Sequence, residues 1–175
     1  MSIKRLSFVF AILVACYPMI IQADSNDNTY AKNLKKKLFE VGKPYDLSYT
    51  LQAIVLVESG SFEKPIKVNL QDPSAGITHI HIKYFLKRHN IKDTPYSRNR
   101  VTQALIDNDD LAIAEAIANL EFWKDRFCTR WGCTANQWDN VWAAYNGGYN
   151  YKSKKAREYA KKIRYYIDKL KRGEL

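Results

Sequence analysis

Apolar residues recur along most of this chain at spacings of three and four positions, which places them on one face of an α-helix. The first helix predicted in this way covers about 27–41, and the second begins between 46 and 48. The second ends at Glu58, because Gly60 follows and glycine commonly terminates a helix. Similar patterns predict helices over 81–90, 97–107, 109–127, 136–146 and 154–171.

The stretch 63–78 lacks this periodicity and contains proline and glycine, so it is predicted to be a loop with one short strand at Val68–Leu70. Strand signals are otherwise few and the chain contains no internal repeat. The fold class is therefore all-α, with six or seven helices in a single compact domain and a short irregular or β-like loop.

The spacing also places particular residues on one face of several helices. These are Tyr30, Leu34, Leu38 and Val41 on the first helix, Leu111, Ala114, Ile117 and Glu121 on 109–127, Trp138, Val141, Trp142 and Tyr145 on 136–146, and Ala156, Ala160, Ile163, Ile167 and Leu170 on the last.

The N-terminus has the form of an export signal. A short basic segment, "MSIKR", precedes the apolar run "LSFVFAILVACYPMII", and "IQA" ends in a small residue. Cleavage after Ala23 leaves a mature domain of residues 24–175, exported to the periplasm or cell envelope. A retained membrane anchor is one alternative. Another is a lipoprotein, because "LVAC" resembles a lipobox that would lipidate Cys16.

Cys128 and Cys133, in "CTRWGC", are the other two cysteines, and an oxidising compartment favours a disulfide between them. Two reduced thiols are the alternative. The pair has no partners at zinc-ligand spacing, and "HIH" at 79–81 is too little for a metal site. We therefore predict neither a metal nor another cofactor.

Removal of residues 1–23 takes away Lys4 and Arg5 and no acid, so the formal charge becomes 26 − 18 = +8. Residues 152–172 contain ten Lys or Arg and two acids, which is also +8, and the remainder is balanced. This last helix favours an anionic partner such as nucleic acid, lipid headgroups or an acidic wall polymer. A solvated face that maintains solubility is equally consistent with it.

Glu58 is the residue that the pattern does not explain. It shares a face with Leu51, Ile54 and Val55 and lies at the end of a helix that is apolar on most sides. Partial burial and the helix carbonyls both disfavour a charge there, and a carboxyl that stays protonated is suited to general acid catalysis. A structural glutamate that pairs with a cation, or reaches solvent, is the alternative.

Three short segments resemble the catalytic domain of soluble lytic transglycosylases, which are related to goose-type lysozyme. They are "ESGSF" at Glu58–Phe62, "AGITHI" at Ala75–Ile80 and "AAYNGG" at Ala143–Gly148, in the family's order and at about its separations. The resemblance covers about 34–167. It implies a lysozyme-like helical fold that cleaves the β-1,4 bond between N-acetylmuramic acid and N-acetylglucosamine in peptidoglycan.

In that family one glutamate, matched here by Glu58, first protonates the glycosidic oxygen. It then accepts the proton of the muramic acid 6-hydroxyl, which attacks C1 and closes a 1,6-anhydro ring. The acetamido group of the substrate assists there in place of a second carboxylate. No cofactor is implied, and no second acid stands in a recognisable motif of this chain.

The resemblance also implies substrate-binding residues. Ser59 matches a serine that hydrogen-bonds near the site, and Gly76 matches a glycine that lets the backbone approach the sugar. His79 stands where the family has a glutamine that contacts substrate. Tyr145 and Asn146 match the pair that lines the cleft, with the tyrosine hydroxyl close to the carboxylate. The aromatic residues Trp138 and Trp142 are interpreted as core, and Tyr149 and Tyr151 as weaker candidates for the cleft wall.

Two rival functions remain open. A hydrolase of the same fold would need a positioned water and a second acid, for which Asp72 is the candidate. A non-catalytic basic module would bind the cell wall through residues 152–172, and the export signal argues against nucleic acid as its partner. The partner expected for the enzyme is a peptidoglycan glycan strand. The chain's length is similar to that of small transglycosylases that serve secretion, conjugation or phage machines, and membrane contact is expected only through Cys16 or a retained signal.

Overall fold

Seven α-helices account for most of the residues that the computed structural model describes, which are 28–69 and 73–175. The all-α prediction is confirmed. The export segment, Cys16 and Asp72 lie outside the described residues. The helices are α1 (28–42), α2 (Ser48–Ser59), α3 (Ile82–Arg88), α4 (Pro95–Asp107), α5 (Asp109–Phe127), α6 (Ala135–Gly147) and α7 (Lys154–Lys171), with 3-10 turns at Lys43–Tyr45 and Gly148–Asn150.

Helix α2 lies at the centre of the domain and packs mainly against α7, with further contacts to α5. Its residues Leu51, Ala53, Ile54 and Val55 have no solvent exposure. A helix that is apolar on most sides can be stable only when neighbours cover it, which is why α2 is enclosed. Its last turn therefore carries Glu58 to the edge of the core.

Three two-residue strands form a small antiparallel sheet between α2 and α3: β1 (Val68–Asn69), β2 (Ser74–Ala75) and β3 (Ile80–His81), in that order. The register pairs Val68 with Ala75, and Ala75 with Ile80. Between β2 and β3 the chain makes a four-residue turn, residues 76–79, which we call the 76–79 turn. The short strand predicted from "VNL" corresponds to β1.

Helices α6 and α7 approach each other closely at Gly147. A Cβ atom at this position would lie 2.8 Å from the Cβ of Ala156, closer than real side-chain atoms come. The first glycine of "AAYNGG" thus has a packing explanation, and nearby the rings of Tyr145 on α6 and Tyr159 on α7 stack with centroids 6.3 Å apart.

The stripe predicted for α5 is not its most buried face, although Leu111 and Ile117 pack at the edge of the core. Ala114 is exposed, and Leu111, Ile117 and Glu121 are only partly buried. Alanines occur on several sides of this helix, so the three-and-four spacing fits more than one stripe. The face with the large side chains is the one that packs, and its fully buried residues are Ala112, Ile113, Ala116, Leu120 and Trp123, together with Glu115.

The other predicted faces agree better with the structure. All five predicted positions of α7 are buried, and Leu34 and Leu38 of α1 are buried while Tyr30 and Val41 at its ends are exposed. Trp142 is buried, and Trp138 is half-buried and stacks on it with ring centroids 5.7 Å apart. Within the described residues, no helix is long and apolar enough to cross a membrane.

Candidate active site around Glu58

Glu58 occupies the last turn of α2, and its side chain retains 16% exposure. Gly60 ends the helix in the left-handed conformation with φ of 77°, as the sequence predicts. The rest of α2 is buried, so the carboxylate sits where the core meets solvent. One side of it is therefore open to a ligand, while the other faces protein.

Hydrogen bonds from side chains of other elements hold the 76–79 turn beside Glu58. Ser59 Oγ donates a hydrogen bond of 2.6 Å to the carbonyl of Ile77, and Tyr145 Oη donates one of 2.9 Å to the carbonyl of Thr78. The Thr78 hydroxyl in turn donates to the carbonyl of Ala112 on α5 at 2.9 Å. Direct hydrogen bonds thus join the three segments that resemble the transglycosylase motifs.

His79 is the turn residue that faces the carboxylate. Its Nδ1 lies 3.3 Å from Glu58 Oε2, and its Nε2 lies 2.9 Å from the carbonyl oxygen of Ile66. The side chain is only 7% exposed. His79 has φ of 47°, a left-handed conformation that costs free energy for a residue with a side chain. The contacts of both ring nitrogens and the low exposure place the ring against Glu58 and the Ile66 carbonyl, not in solvent.

These two contacts of His79 determine which of its ring nitrogens carries hydrogen. A carbonyl oxygen can only accept, so the hydrogen bond to Ile66 requires that Nε2 of His79 carry hydrogen. The contact between Nδ1 and Glu58 is then attractive only when a proton lies between them, on the carboxyl or on Nδ1. The arrangement suits a carboxyl that must gain and lose a proton.

Two tyrosines complete the protein side of the site. Burial raises the pKa of the Tyr145 hydroxyl, and the nearby Glu58 carboxylate raises it further, while the charge of Arg88 lowers it in part. Burial also raises the pKa of Tyr159, and the Glu58 charge adds to this. Both phenols therefore keep their protons at neutral pH.

Tyr159 was not predicted as a site residue. It lies on the buried face of α7, and its hydroxyl has no hydrogen-bond partner in good geometry within the described part of the chain. The pKa of this hydroxyl is nevertheless raised by an interaction with Glu58, so Tyr159 lies within reach of the carboxylate. Its position in the apolar stripe, one residue before Ala160, was the signal available, since a tyrosine there must bring a hydroxyl into the core.

Gly76 is explained by packing in this structure. It has φ of 80°, and a Cβ there would lie 2.8 Å from the Cβ of Ala112 and 3.0 Å from the carbonyl oxygen of Leu105. The missing side chain therefore makes room for α4 and α5. The proposed approach of this backbone to a sugar stays a prediction.

The other predicted substrate-binding residues differ in accessibility. Ser59 is buried and its hydroxyl is engaged with Ile77, so it fixes the turn. Asn146 is exposed on α6, and Tyr145 is half-buried beside it. Only Asn146 is freely accessible, and the direct sugar contacts of all three stay predictions.

The structure contains a disulfide between Cys128 and Cys133 at the end of α5. Tyr149 packs edge-on against Trp123, and Tyr151 packs against Phe127, so both lie beside α5 and not beside Glu58. No group of three His, Cys, Asp or Glu side chains suited to a metal ion occurs among residues 28–69 and 73–175.

A cleft of about 490 Å³ borders the first turn of α2 at Ser48 and Thr50, together with Trp138, Trp142 and Arg164. Glu58 lies at the opposite end of the same helix. The cleft and the carboxylate are therefore separate features. Arg164 covers the Trp142 ring at 5.4 Å, so this indole face is already occupied by a protein cation.

Comparison with known proteins gave no match to a protein-family model, to a curated protein or to a solved structure.

Proposed function

We propose that this protein is a peptidoglycan lytic transglycosylase in which Glu58 is the catalytic acid and then the catalytic base. The observation that supports the proposal most is the hydrogen-bonded convergence of three separate motifs on one half-enclosed carboxyl. Ser59 and Tyr145 both bond to the 76–79 turn, and that turn presents His79 to Glu58. Motifs that matched by chance would have no reason to meet.

In the proposed reaction, Glu58 donates its proton to the oxygen that links muramic acid to glucosamine. The bond from C1 to this oxygen breaks, while the acetamido oxygen of the muramic acid attacks C1. The 6-hydroxyl of the same sugar then displaces the acetamido oxygen and returns a proton to Glu58. The products are an alcohol end and a 1,6-anhydro end, and no water is consumed.

The neighbours of Glu58 fit both halves of this cycle. His79 can hold hydrogen on Nδ1 while Glu58 is ionised, and can accept from the carboxyl when Glu58 is protonated. Tyr159 carries a neutral hydroxyl directed at the same region. A site built from one carboxyl, an imidazole and two phenols supports a single-acid mechanism assisted by the substrate.

The test is solubilisation of purified cell-wall sacculi by the wild-type protein, Glu58→Gln and Glu121→Gln. Glu121 is a partly exposed glutamate on α5 that pairs with Lys124, so its change controls for loss of a charge elsewhere. We expect Glu58→Gln to lose at least about 100-fold in rate, which is typical of general acid–base groups, and Glu121→Gln to remain active. Equal activity of all three would reject the assignment, and wall binding without cleavage by the wild type would favour a binding module.

A further inference from the structure

Two turns near the end of α5 carry strongly exposed aromatic side chains. Trp131 is 84% exposed in the turn that the Cys128–Cys133 disulfide closes, and Tyr149 is 71% exposed in the turn after α6. An arginine stacks on each ring. The Arg130 guanidinium lies 4.6 Å from the Trp131 centroid, and that of Arg126 lies 5.1 Å from the Tyr149 centroid.

The two turns form one continuous surface. Phe127, the last residue of α5, has its ring centroid 4.9 Å from that of Tyr151 and is followed directly by the disulfide turn. We call residues 126–133 and 148–157 the aromatic-basic face. These two segments contain six Lys or Arg and no Asp or Glu, so the face carries a positive charge that is not neutralised from within.

The shape of this face favours a flat partner. A Cβ added to Gly132 or to Gly148 would meet nothing within 4 Å, so both glycines face open space on the outer side of their turns, while Tyr149 packs on Trp123 of α5 behind them. The cleft near Thr50 is bordered by other residues. A single strand of nucleic acid or glycan is usually held in a groove, whereas protruding turns can meet a surface together.

We propose that the aromatic-basic face docks on a lipid bilayer surface that contains anionic phospholipids. Tryptophan and tyrosine favour the level of the headgroups, where the ring is desolvated and the polar end stays hydrated. Arginine and lysine are attracted to anionic headgroups. This contact depends neither on catalysis by Glu58 nor on the N-terminal segment, and it goes beyond the sequence-based expectation of membrane contact only through Cys16 or a retained signal.

The test is co-sedimentation of the full chain with phosphatidylcholine vesicles, with and without phosphatidylglycerol. The wild type is compared with the double variant Trp131→Ala/Tyr149→Ala and with Tyr96→Ala. Tyr96 is a matched control, because it is 70% exposed and its ring lies 5.8 Å from the Arg100 guanidinium, on α4. All forms carry the same N-terminus, so its contribution cancels in the comparison.

We expect the wild type and Tyr96→Ala to bind anionic vesicles equally and the double variant to bind about tenfold more weakly, with the difference reduced by salt. Brominated lipids should quench tryptophan emission in the wild type and markedly less in Trp131→Phe. Equal binding of the double variant and the wild type would overturn the proposal. So would equal binding to neutral and anionic vesicles, or binding of sacculi or an oligonucleotide through these residues without vesicle binding.

Discussion

Replacing Gly76 by alanine tests the placement of the 76–79 turn, and Gly60 provides a matched control. The two glycines have nearly equal φ angles, 80° and 77°, so alanine pays a similar left-handed penalty of about 1 kcal/mol at each. They differ in their surroundings. The new Cβ would meet nothing within 4 Å at position 60, but would lie 2.8 Å from Ala112 and 3.0 Å from the carbonyl oxygen of Leu105 at position 76.

Overpacking of this kind typically adds about 1–3 kcal/mol, so Gly76→Ala should destabilise the fold by about 2–4 kcal/mol in total. At about 2–4 °C per kcal/mol for a domain of this size, the expected fall in Tm is roughly 4–16 °C, against roughly 2–4 °C for Gly60→Ala. Thermal unfolding followed by circular dichroism measures both. Equal losses of Tm would show that the turn does not press against α4 and α5 as described.

Three further changes probe the neighbours of Glu58. Ser59→Ala should lower the free energy of unfolding by about 1–3 kcal/mol, because it leaves the buried carbonyl of Ile77 without its donor; urea unfolding with no loss would exclude that bond. Tyr159→Phe removes a hydroxyl whose pKa is raised in the folded state. In the wild type, the unfolded chain releases this proton above the ordinary tyrosine pKa near 10 while the folded protein keeps it, so stability falls as pH rises. The variant lacks this loss. Between pH 9 and 11 the variant should lose about 1.4 kcal/mol less than the wild type, and parallel losses would contradict the burial of this hydroxyl. His79→Ala should lower kcat on soluble glycan fragments with little change in KM, since its ring faces the carboxyl; a raised KM with unchanged kcat would instead make it a substrate ligand.

The sequence alone was sufficient to predict the helices and to place Glu58 at the end of α2. Periodicity, with breaks at Gly60 and Gly147, predicted elements whose bounds agree with the structure to within a few residues. Glu58 stood out because a carboxyl ending an apolar helix needs a reason. Both inferences depend on local spacing, which a linear sequence carries directly.

The contacts of the 76–79 turn could not be predicted in the same way. His79 reaches the Ile66 carbonyl because the small sheet brings the turn close to α2. Tyr159 reaches Glu58 because α7 packs on α2. The stripe predicted for α5 missed the most buried face of the helix for a related reason. Alanines fit either side of a helix, and the large residues Ile113 and Leu120 decided which side packs.

The most direct test of the central claim is mass spectrometry of the soluble fragments released from purified peptidoglycan by the wild-type protein, with Glu58→Gln in parallel. The account predicts muropeptides that end in 1,6-anhydro-muramic acid and are lighter than the hydrolytic products by one water, and none of these from the variant. Reducing-end products would contradict a transglycosylase and point to a hydrolase with a second acid, for which Asp72 is the candidate. Anhydro products released equally by the variant would remove Glu58 from the mechanism.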